Sequence, residues 1–378
     1  MLDSLHIKNF RCFEDLTIPS LGRVNLIVGK NNSGKSTLLE AVYTYAKKGN
    51  IQTLLDILSD RDETAYFSNN SERRDTFQDL QNIFTGRKFS QIDEENKNVI
   101  YIGNKDQSLK VEVAYLRYIE ETKHNTKGLL NFSPAEKKFI NHSEEILIHS
   151  PIFEALAIFP DELEDILLYE ATNFESQASL KRNSKEYSCS FVATQLFQVN
   201  DLAELWDDIL LNSMDIEARN FLSIIDSRFS NLFFIKKPGF GHQRIAVVKY
   251  SNEKKAIPLK SFGEGMSRLL QIFLHSFKAR GGYLMIDEFE NGLHYSIQEE
   301  VWEKLFKLAK ELDIQVFVTT HSQDTIKAFS KIALQSEEEG RLISLGRNER
   351  EIDKGKITAI TYNEDDIKLI AETGMEVR

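Results

Sequence analysis

Gly29-Lys30-Asn31-Asn32-Ser33-Gly34-Lys35-Ser36-Thr37 satisfies the pattern G-x-x-x-x-G-K-[ST] at every required position. Residue types in this order hold phosphate. The glycines let the backbone curl so that successive N–H groups face phosphate oxygens. A helix beginning behind the loop adds the positive end of its dipole. Lys35 has the reach for β- and γ-phosphates, and the Ser36 hydroxyl is a ligand type for Mg²⁺. ATP and Mg²⁺ are the ligands this stretch calls for, with Gly29, Asn31, Asn32, Ser33, Gly34, Lys35, Ser36 and Thr37 around the phosphates.

Phosphate binding alone does not give hydrolysis. Tyr283-Leu284-Met285-Ile286 is a short apolar run ending in two carboxylates, Asp287 and Glu288. Asp287 suits the far side of a Mg²⁺ water shell. Glu288 suits orientation or deprotonation of a water that attacks the γ-phosphorus. By itself this pattern also describes a strand ending in a solvated turn; beside a complete phosphate loop it reads as chemistry. Thr319-Thr320-His321-Ser322 follows another apolar run, which places His321 at the same sheet edge, where it could sense the γ-phosphate or cap a helix near Ser322. Ser261-Phe262-Gly263-Glu264-Gly265 precedes a helix and forms either a second anion site or an ordinary cap. One nucleotide needs one cradle within a subunit. A second cradle, carried by Ser261, Gly263 and Glu264, makes sense if it serves the nucleotide of another subunit.

The elements that must position these groups follow from pattern. Val24–Val28 reads as a buried strand leading into the loop, and Ser36–Tyr45 as the helix behind it. Leu5–Phe10 alternates like a half-exposed strand. Met266–Phe277 and Ser296–Leu312 read as helices, Tyr283–Ile286 and Ile314–Val318 as buried strands, Leu342–Leu345 and Ile357–Tyr362 as later strands, and residues 364–373 as a last helix. Between the two halves, Asn98–Ile102 and Leu109–Tyr118 form a hairpin signal. The run from Ile146 to Tyr169 reads as helical after Pro160. Two amphipathic helices carry Leu202, Leu205, Trp206, Ile209 and Leu210, then Ile216, Phe221, Leu222 and Ile225. Phe233–Ile235 and Arg244–Tyr250 read as strands. The expected fold is α/β: a P-loop head with a mixed sheet, N-terminal antiparallel strands and a mainly helical inserted lobe. Residues 1–46 form the first half of the head, residues 47–255 the insertion, with strands returning near 98–118 and 233–250, and residues 256–378 the second half.

Composition bounds the classes. The 378 residues are 41% hydrophobic, enough for a sizeable core. No apolar run approaches the roughly 20 residues that span a bilayer. The start Met1-Leu2-Asp3-Ser4 lacks a basic segment followed by an apolar one, so the expectation is a cytoplasmic protein with no membrane. Cys12 and Cys189 have no pairing or metal spacing. A net charge of −11 counts against general nucleic-acid binding, although a local basic patch keeps DNA open.

These pieces, in this order, resemble the ABC-type ATPase heads of the SMC, RecF and OLD (overcoming lysogenization defect) proteins. The opening Phe10, Arg11 and Phe13 is similar to that class's apolar-x-x-Phe-Arg-x-Phe start. Gly29–Thr37 resembles Walker A, Ser261–Gly265 a variant signature motif, Asp287-Glu288 Walker B with its catalytic glutamate, and His321 the switch histidine. Glu290-Asn291-Gly292-Leu293-His294 resembles the loop after Walker B in stand-alone OLD-like ATPases of defence loci. The resemblance implies that two heads close on two ATP molecules, as a homodimer or higher homo-oligomer, with Ser261 and Gly263 facing the opposite subunit's γ-phosphate. It also implies a glutamine contacting Mg²⁺, for which Gln195 is the candidate by position. The insertion lacks sustained heptads, so no long SMC arm is expected. The segment after His321 lacks the clustered acidic ligands of a Toprim nuclease domain, so no nuclease activity is expected here. Glu364-Asp365-Asp366 reads as a helix start. The function this implies is Mg-dependent ATP hydrolysis at sites shared between subunits, controlling a separate effector such as a Toprim-type nuclease in anti-phage defence. Two alternatives stand beside it: a RecF-like DNA clamp and an ATP-stabilised scaffold with little turnover.

Overall fold

A computed structural model of the chain describes residues 1–64, 79–88, 99–117, 152–159, 167–170, 178–179, 186–194, 199–212, 214–223, 226–237, 243–251, 253, 255–348, 355–373 and 377. Two compact units share the chain. The first comprises Met1–His6, Leu16–Lys47 and Glu186–Arg378, and the second Ile7–Asp15 and Lys48–Lys185.

In chain order the strands are β1 (Leu5–Phe10), β2 (Phe13–Ile18), β3 (Val24–Val28), β4 (Val99–Gly103), β5 (Ser108–Arg117), β6 (Ile152–Phe159), β7 (Leu167–Glu170), β8 (Ala178–Ser179), β9 (Cys189–Val192), β10 (Phe229–Lys236), β11 (Arg244–Tyr250), β12 (Ile257–Pro258), β13 (Tyr283–Ile286), β14 (Gln315–Thr319), β15 (Gly340–Arg347) and β16 (Ile357–Thr361). The helices are α1 (Lys35–Ala46), α2 (Ile51–Ser59), α3 (Val199–Leu211), α4 (Asp215–Leu222), α5 (Glu264–Lys278), α6 (Tyr295–Glu311), α7 (Gln323–Ala333) and α8 (Glu364–Thr373).

The first unit is built on a six-stranded sheet in the order β16-β15-β3-β14-β13-β9. From β15 to β9 every neighbouring pair is parallel; only β16 runs against β15. Every residue of β3, β13 and β14 is buried, as parallel strands covered on both faces require. This explains why their sequences are apolar runs rather than alternations. The polar exceptions are satisfied. Asn25 donates to the carbonyls of Gly22 and Val316 at 2.8 and 3.2 Å. Gln315 accepts from the Leu2 amide at 2.9 Å and donates to the Leu2 carbonyl at 2.7 Å, which fixes the start of the chain to β14. Buried amides left unpaired would each cost about 1–3 kcal/mol.

Register decides what the sheet presents. Ile286 lies opposite Val192 on one side and Val318 on the other, and Thr319 lies opposite Ile27. The four parallel strands β3, β14, β13 and β9 therefore finish at one edge, and the residues that follow them share it.

A separate sheet, β10-β11-β12, is antiparallel and packs with α3 and α4 into the same core. Leu202, Trp206 and Ile209 of α3 are buried, as are Phe221 and Leu222 of α4. Leu210 and Ile216, expected on those buried faces, are 48% and 58% exposed. Both lie at the α3–α4 corner, where a helical stripe runs out of core to face. Ile225 lies outside the described residues. At the far end, Asn363 and Asp366 cap α8 reciprocally: the Asp366 amide donates to Asn363 Oδ1 at 2.9 Å and the Asn363 amide to Asp366 Oδ2 at 3.2 Å.

The second unit differs from the mainly helical lobe expected of the insertion. Its sheet runs β2-β1-β4-β5-β6-β7-β8, with β4 to β8 pairing antiparallel in sequence. Ile152-Phe153-Glu154-Ala155-Leu156-Ala157-Ile158-Phe159 is a strand, and Leu167–Glu170 is strand where helix was expected. Short apolar runs carry no periodicity that separates a buried strand from a helix, and here cross-strand pairing decided. The strands near 98–118 join this sheet beside β1, and the 186–255 segment packs with the first unit. Phe10, Phe13, Ile83, Phe84, Ile100 and Ile102 are buried in the second unit. Glu63 receives Arg11 and Arg87 at 2.8 and 2.7 Å.

Among the described residues no helix is long and apolar enough to cross a membrane.

Candidate nucleotide site

The loop between β3 and α1 has the conformation its glycines permit. Gly29 has φ +147°, and a Cβ there would stand 2.3 Å from the Leu345 carbonyl oxygen and 2.7 Å from Ser33 Oγ. A side chain at this position is excluded both by its backbone angle and by space. Gly34 has φ +93° and Asn32 φ +61°, so the chain turns through left-handed angles before α1 begins at Lys35. Lys35 is buried, and its Nζ donates to the carbonyls of Gly29 and Lys30 at 2.8 and 3.0 Å. The ammonium is thereby held across the mouth of the loop. Ser33 Oγ is buried without a hydrogen-bond partner among the described residues, an orphaned polar atom inside a phosphate-shaped turn.

The carboxylates stand on the adjoining strand end. Ser36 Oγ donates to the Asp287 carboxylate at 3.1 and 3.2 Å. Thr194, just past β9, reaches the same carboxylate at 3.3 Å. Thr319 Oγ1, the last residue of β14, donates to Asp287 Oδ1 at 2.5 Å and accepts from the Glu288 amide at 2.9 Å. One hydroxyl thus ties the two acids together. Glu288 has φ +48°, uncommon outside glycine. The next residue, Phe289, is fully buried and stacks on Trp302 with centroids 4.1 Å apart. That stack, worth about 0.5–1.5 kcal/mol beyond area burial, anchors the loop directly after the acid.

Glu288 and His321 face each other. His321 Nε2 lies 3.7 Å from Glu288 Oε1, while Asn291 Nδ2 donates to Glu288 Oε2 at 2.9 Å. Glu290 turns the other way. Its carboxylate accepts from Thr320 Oγ1 and from the His321 amide, each at 2.7 Å. His321 is therefore positioned through its backbone, and Ser322 caps α7 by accepting from the Thr325 amide at 3.3 Å. The side-chain cap of α7 comes from Ser322 rather than His321, whose ring faces the acid.

Ser261, Gly263 and Glu264 are exposed at the start of α5. Gly263 has φ +83°, with open space where a Cβ would stand. Among the described residues no side chain caps this helix start. These residues are not part of the hydrogen-bonded group around Asp287 and Glu288. Gln195 lies outside the described residues.

Thr194, Arg268, Thr319, Glu290 and Asn291 complete the site without having been assigned roles from sequence. Thr319, Glu290 and Asn291 stood inside recognised stretches, but only the folded loop and the pairing of β13 with β14 show what they hold. The donor set fits Mg²⁺: Ser36 Oγ and one carboxylate oxygen of Asp287 are hard oxygen ligands beside a phosphate loop. Among the described residues no three His, Cys, Asp or Glu side chains gather as a metal cage, and Mg²⁺ held with substrate phosphates does not need one.

A family model described as "AAA ATPase domain" matches residues 1–326. An "ATP/GTP phosphatase" of Helicobacter pylori is 25% identical over 343 residues, 88% of each chain. A "DNA replication and repair protein RecF" of Clostridioides difficile is 28% identical over 139 residues, 37% of this chain and 33% of that one. An "OLD nuclease" of Thermus scotoductus is 52% identical over 42 residues, 11% of this chain and 8% of that one. Among solved structures, an SMC head bound to the C-winged helix domain of ScpA aligns over 97% of this chain and 99% of its own, at 13% identity and TM-score 0.46. With a phosphate loop, a paired Asp–Glu strand end and a facing histidine on one sheet edge, the chain belongs to the AAA ATPase domain family.

Proposed function

We propose that this chain hydrolyses ATP with Mg²⁺ at sites completed between subunits, and that the cycle switches an assembly controlling a separate effector. The observation that carries the reading is the meeting of three separate sequence stretches at one edge: Ser36 on Asp287 at 3.1 Å, and Glu288 facing His321 at 3.7 Å.

The phosphates of ATP lie against the amides of Gly29–Thr37 and the start of α1, with Lys35 turning from the Gly29 and Lys30 carbonyls toward the β- and γ-oxygens. Ser36 and Asp287 are the residues that would hold Mg²⁺, directly or through water. The ion, when bound, neutralises charge on the β- and γ-phosphate oxygens. Glu288 takes a proton from, or orients, the attacking water. Its Oε2 is fixed by Asn291, which leaves Oε1 on the His321 side for that work. His321 donates to the γ-phosphate from a backbone held by Glu290.

In this reading residues 1–46 and 256–378 carry the two halves of the head and residues 47–255 run between them, with the 186–255 segment in the same compact unit as the head. Ser261, Gly263 and Glu264 form a second anion cradle. Their exposure, and an open helix start with no side-chain cap, support a role toward the nucleotide of a second copy. The effector, a Toprim-type nuclease or similar, and a place in anti-phage defence rest on analogy with OLD-like proteins.

Light scattering of Glu288→Gln with and without Mg-ATP tests the reading. We expect retained nucleotide binding, turnover reduced about 10²- to 10³-fold, and a gain in mass with Mg-ATP. Unchanged turnover would favour an ATP-stabilised scaffold. An unchanged monomer would remove the shared site.

The RecF-like alternative has an observation of its own: Lys236, Lys249, Lys255 and Lys260 are exposed on and after β10–β12. DNA affinity falling steeply with salt would support it, and no measurable affinity at low salt would remove it.

A further inference from the structure

Arg268 lies in the second turn of α5, behind the Ser261–Glu264 loop, and is 2% exposed. Its guanidinium is committed to backbone. Nη1 donates to the Ala193 carbonyl at 2.6 Å. Nη2 donates to the carbonyls of Asp287 and Glu288 at 2.6 and 3.1 Å. Nε has no acceptor among the described residues. One fork thus spans the ends of β9 and β13 and grips the residue whose φ is +48°.

A buried charge whose hydrogen bonds go to carbonyls rather than to a carboxylate is a poor way to gain stability, because an apolar side chain of similar size would fill the place at less cost. Burial pulls the Arg268 pKa down to about 10, opposed by the nearby carboxylates of Asp287, Glu288 and Glu290, so the group remains charged at neutral pH. A planar fork donates from two separated nitrogens and so spans carbonyls on two strand ends, whereas an ammonium donates from one point. A second link joins the same parts. A Cβ at Gly292 would lie 3.3 Å from both the carbonyl carbon and the Cβ of Glu264, so the loop after Glu288 abuts the first residue of α5.

We propose that Arg268 is a positioning residue that ties the placement of the Ser261–Glu264 loop to the backbone of Asp287 and Glu288, and so sets when Glu288 can act. The proposal rests on the reading of Glu288 as the group that handles the attacking water. A second copy engaging the Ser261–Glu264 loop would move α5, and the fork would carry that movement to the acid. The inserted nucleotide would then be hydrolysed only where the opposite side of the shared site is in place.

The test uses the full chain. Arg268→Lys and Arg268→Gln are compared with wild type for thermal melting, Mg-ADP affinity, KM and kcat. The expected result is a folded protein with ADP affinity and KM within about 2-fold of wild type and kcat lowered about 10- to 100-fold. In the Glu288→Gln background, Arg268→Lys should change the residual single-turnover rate by less than about 2-fold, because both substitutions act on one group. A folded Arg268→Lys with wild-type kcat overturns the proposal, as does a loss that multiplies in full with that of Glu288→Gln. If Glu288→Gln alone turned over normally, the reading of Glu288 would fail instead, which is a different outcome. A measurement on wild type needs no substitution. On adding Mg-ATP, amide exchange in segments 261–268 and 286–290 should slow together; slowing of 286–290 alone overturns the coupling.

Discussion

The Asn291 side-chain amide donates to Glu288 Oε2 at 2.9 Å from three residues further along the same loop. The acid is therefore not a free rotor at the end of β13. Asn291→Ala should lower kcat about 10-fold with little change in nucleotide affinity, since only the orientation of the carboxylate is lost. Asn291→Asp should cost more than Asn291→Ala in kcat, because it sets a like charge against the carboxylate that the amide holds. A kcat equal to that of the alanine variant would show that the Asn291 amide does not hold Glu288 in its working position.

Glu290 holds the loop of His321 rather than its ring. It accepts from the His321 amide and from Thr320 Oγ1, each at 2.7 Å. Glu290→Ala leaves a partly buried amide and hydroxyl without their acceptor, at a cost of about 1–3 kcal/mol. Urea unfolding should show that loss. Activity should fall beyond what lower stability explains, about 10-fold in kcat at a temperature where the variant is fully folded. Glu290→Gln supplies one acceptor oxygen in place of two, and should fall between wild type and the alanine variant in both measurements.

The carboxylates and the phosphate loop were legible in the sequence because each is short and contiguous, and a strand followed by a functional turn is local information. Parallel pairing of β3, β14, β13 and β9 then carried them to one edge. Arg268, Thr194 and Thr319 were not legible in the same way. An arginine in the second turn of an amphipathic helix reads as its solvated face, and nothing nearby in sequence reports that the carbonyls of Ala193, Asp287 and Glu288 converge on it. The second unit failed differently. Leu167–Glu170 was read as helix after Pro160, but it pairs with Ala155–Ile158, which in turn pairs with β5 far away in the chain. Helical stripes were read well where core surrounds them, as at Trp206 and Phe221, and poorly at the Leu210–Ile216 corner where the core ends.

Gly29 tests the phosphate loop through its backbone. Gly29→Ala would force a Cβ to within 2.3 Å of the Leu345 carbonyl oxygen at φ +147°. Both the strand pairing beside it and the turn must give way, so a loss above about 3 kcal/mol is expected. The urea midpoint should drop sharply. Any folded fraction should bind ATP weakly, because the amides of the loop can no longer converge. Gly263→Ala is the matched control at another positive φ. Nothing stands within 4 Å of a Cβ there, so the remaining cost is backbone strain, about 1–3 kcal/mol at φ +83° and ψ −176°.

His275 makes a prediction about pH. It is 4% exposed on α5, its Nδ1 lies 2.6 Å from Ser190 Oγ, and burial holds the imidazole neutral with its pKa lowered to about 3 from 6.5. Between those values the unfolded chain binds a proton that the folded chain refuses. The stability associated with a neutral His275 is therefore fully present above pH 6.5 and declines as pH falls toward 3, by up to about 1.4 kcal/mol per pH unit from this one group. Urea unfolding of wild type and His275→Asn between about pH 7 and pH 5 isolates it. The variant should be less stable at neutral pH, because the packing around the ring is lost. Its stability should nevertheless fall less steeply on acidification, by close to one proton. Parallel slopes would mean that His275 is protonated in the folded chain, and that the acid sensitivity of this fold lies among its carboxylates instead.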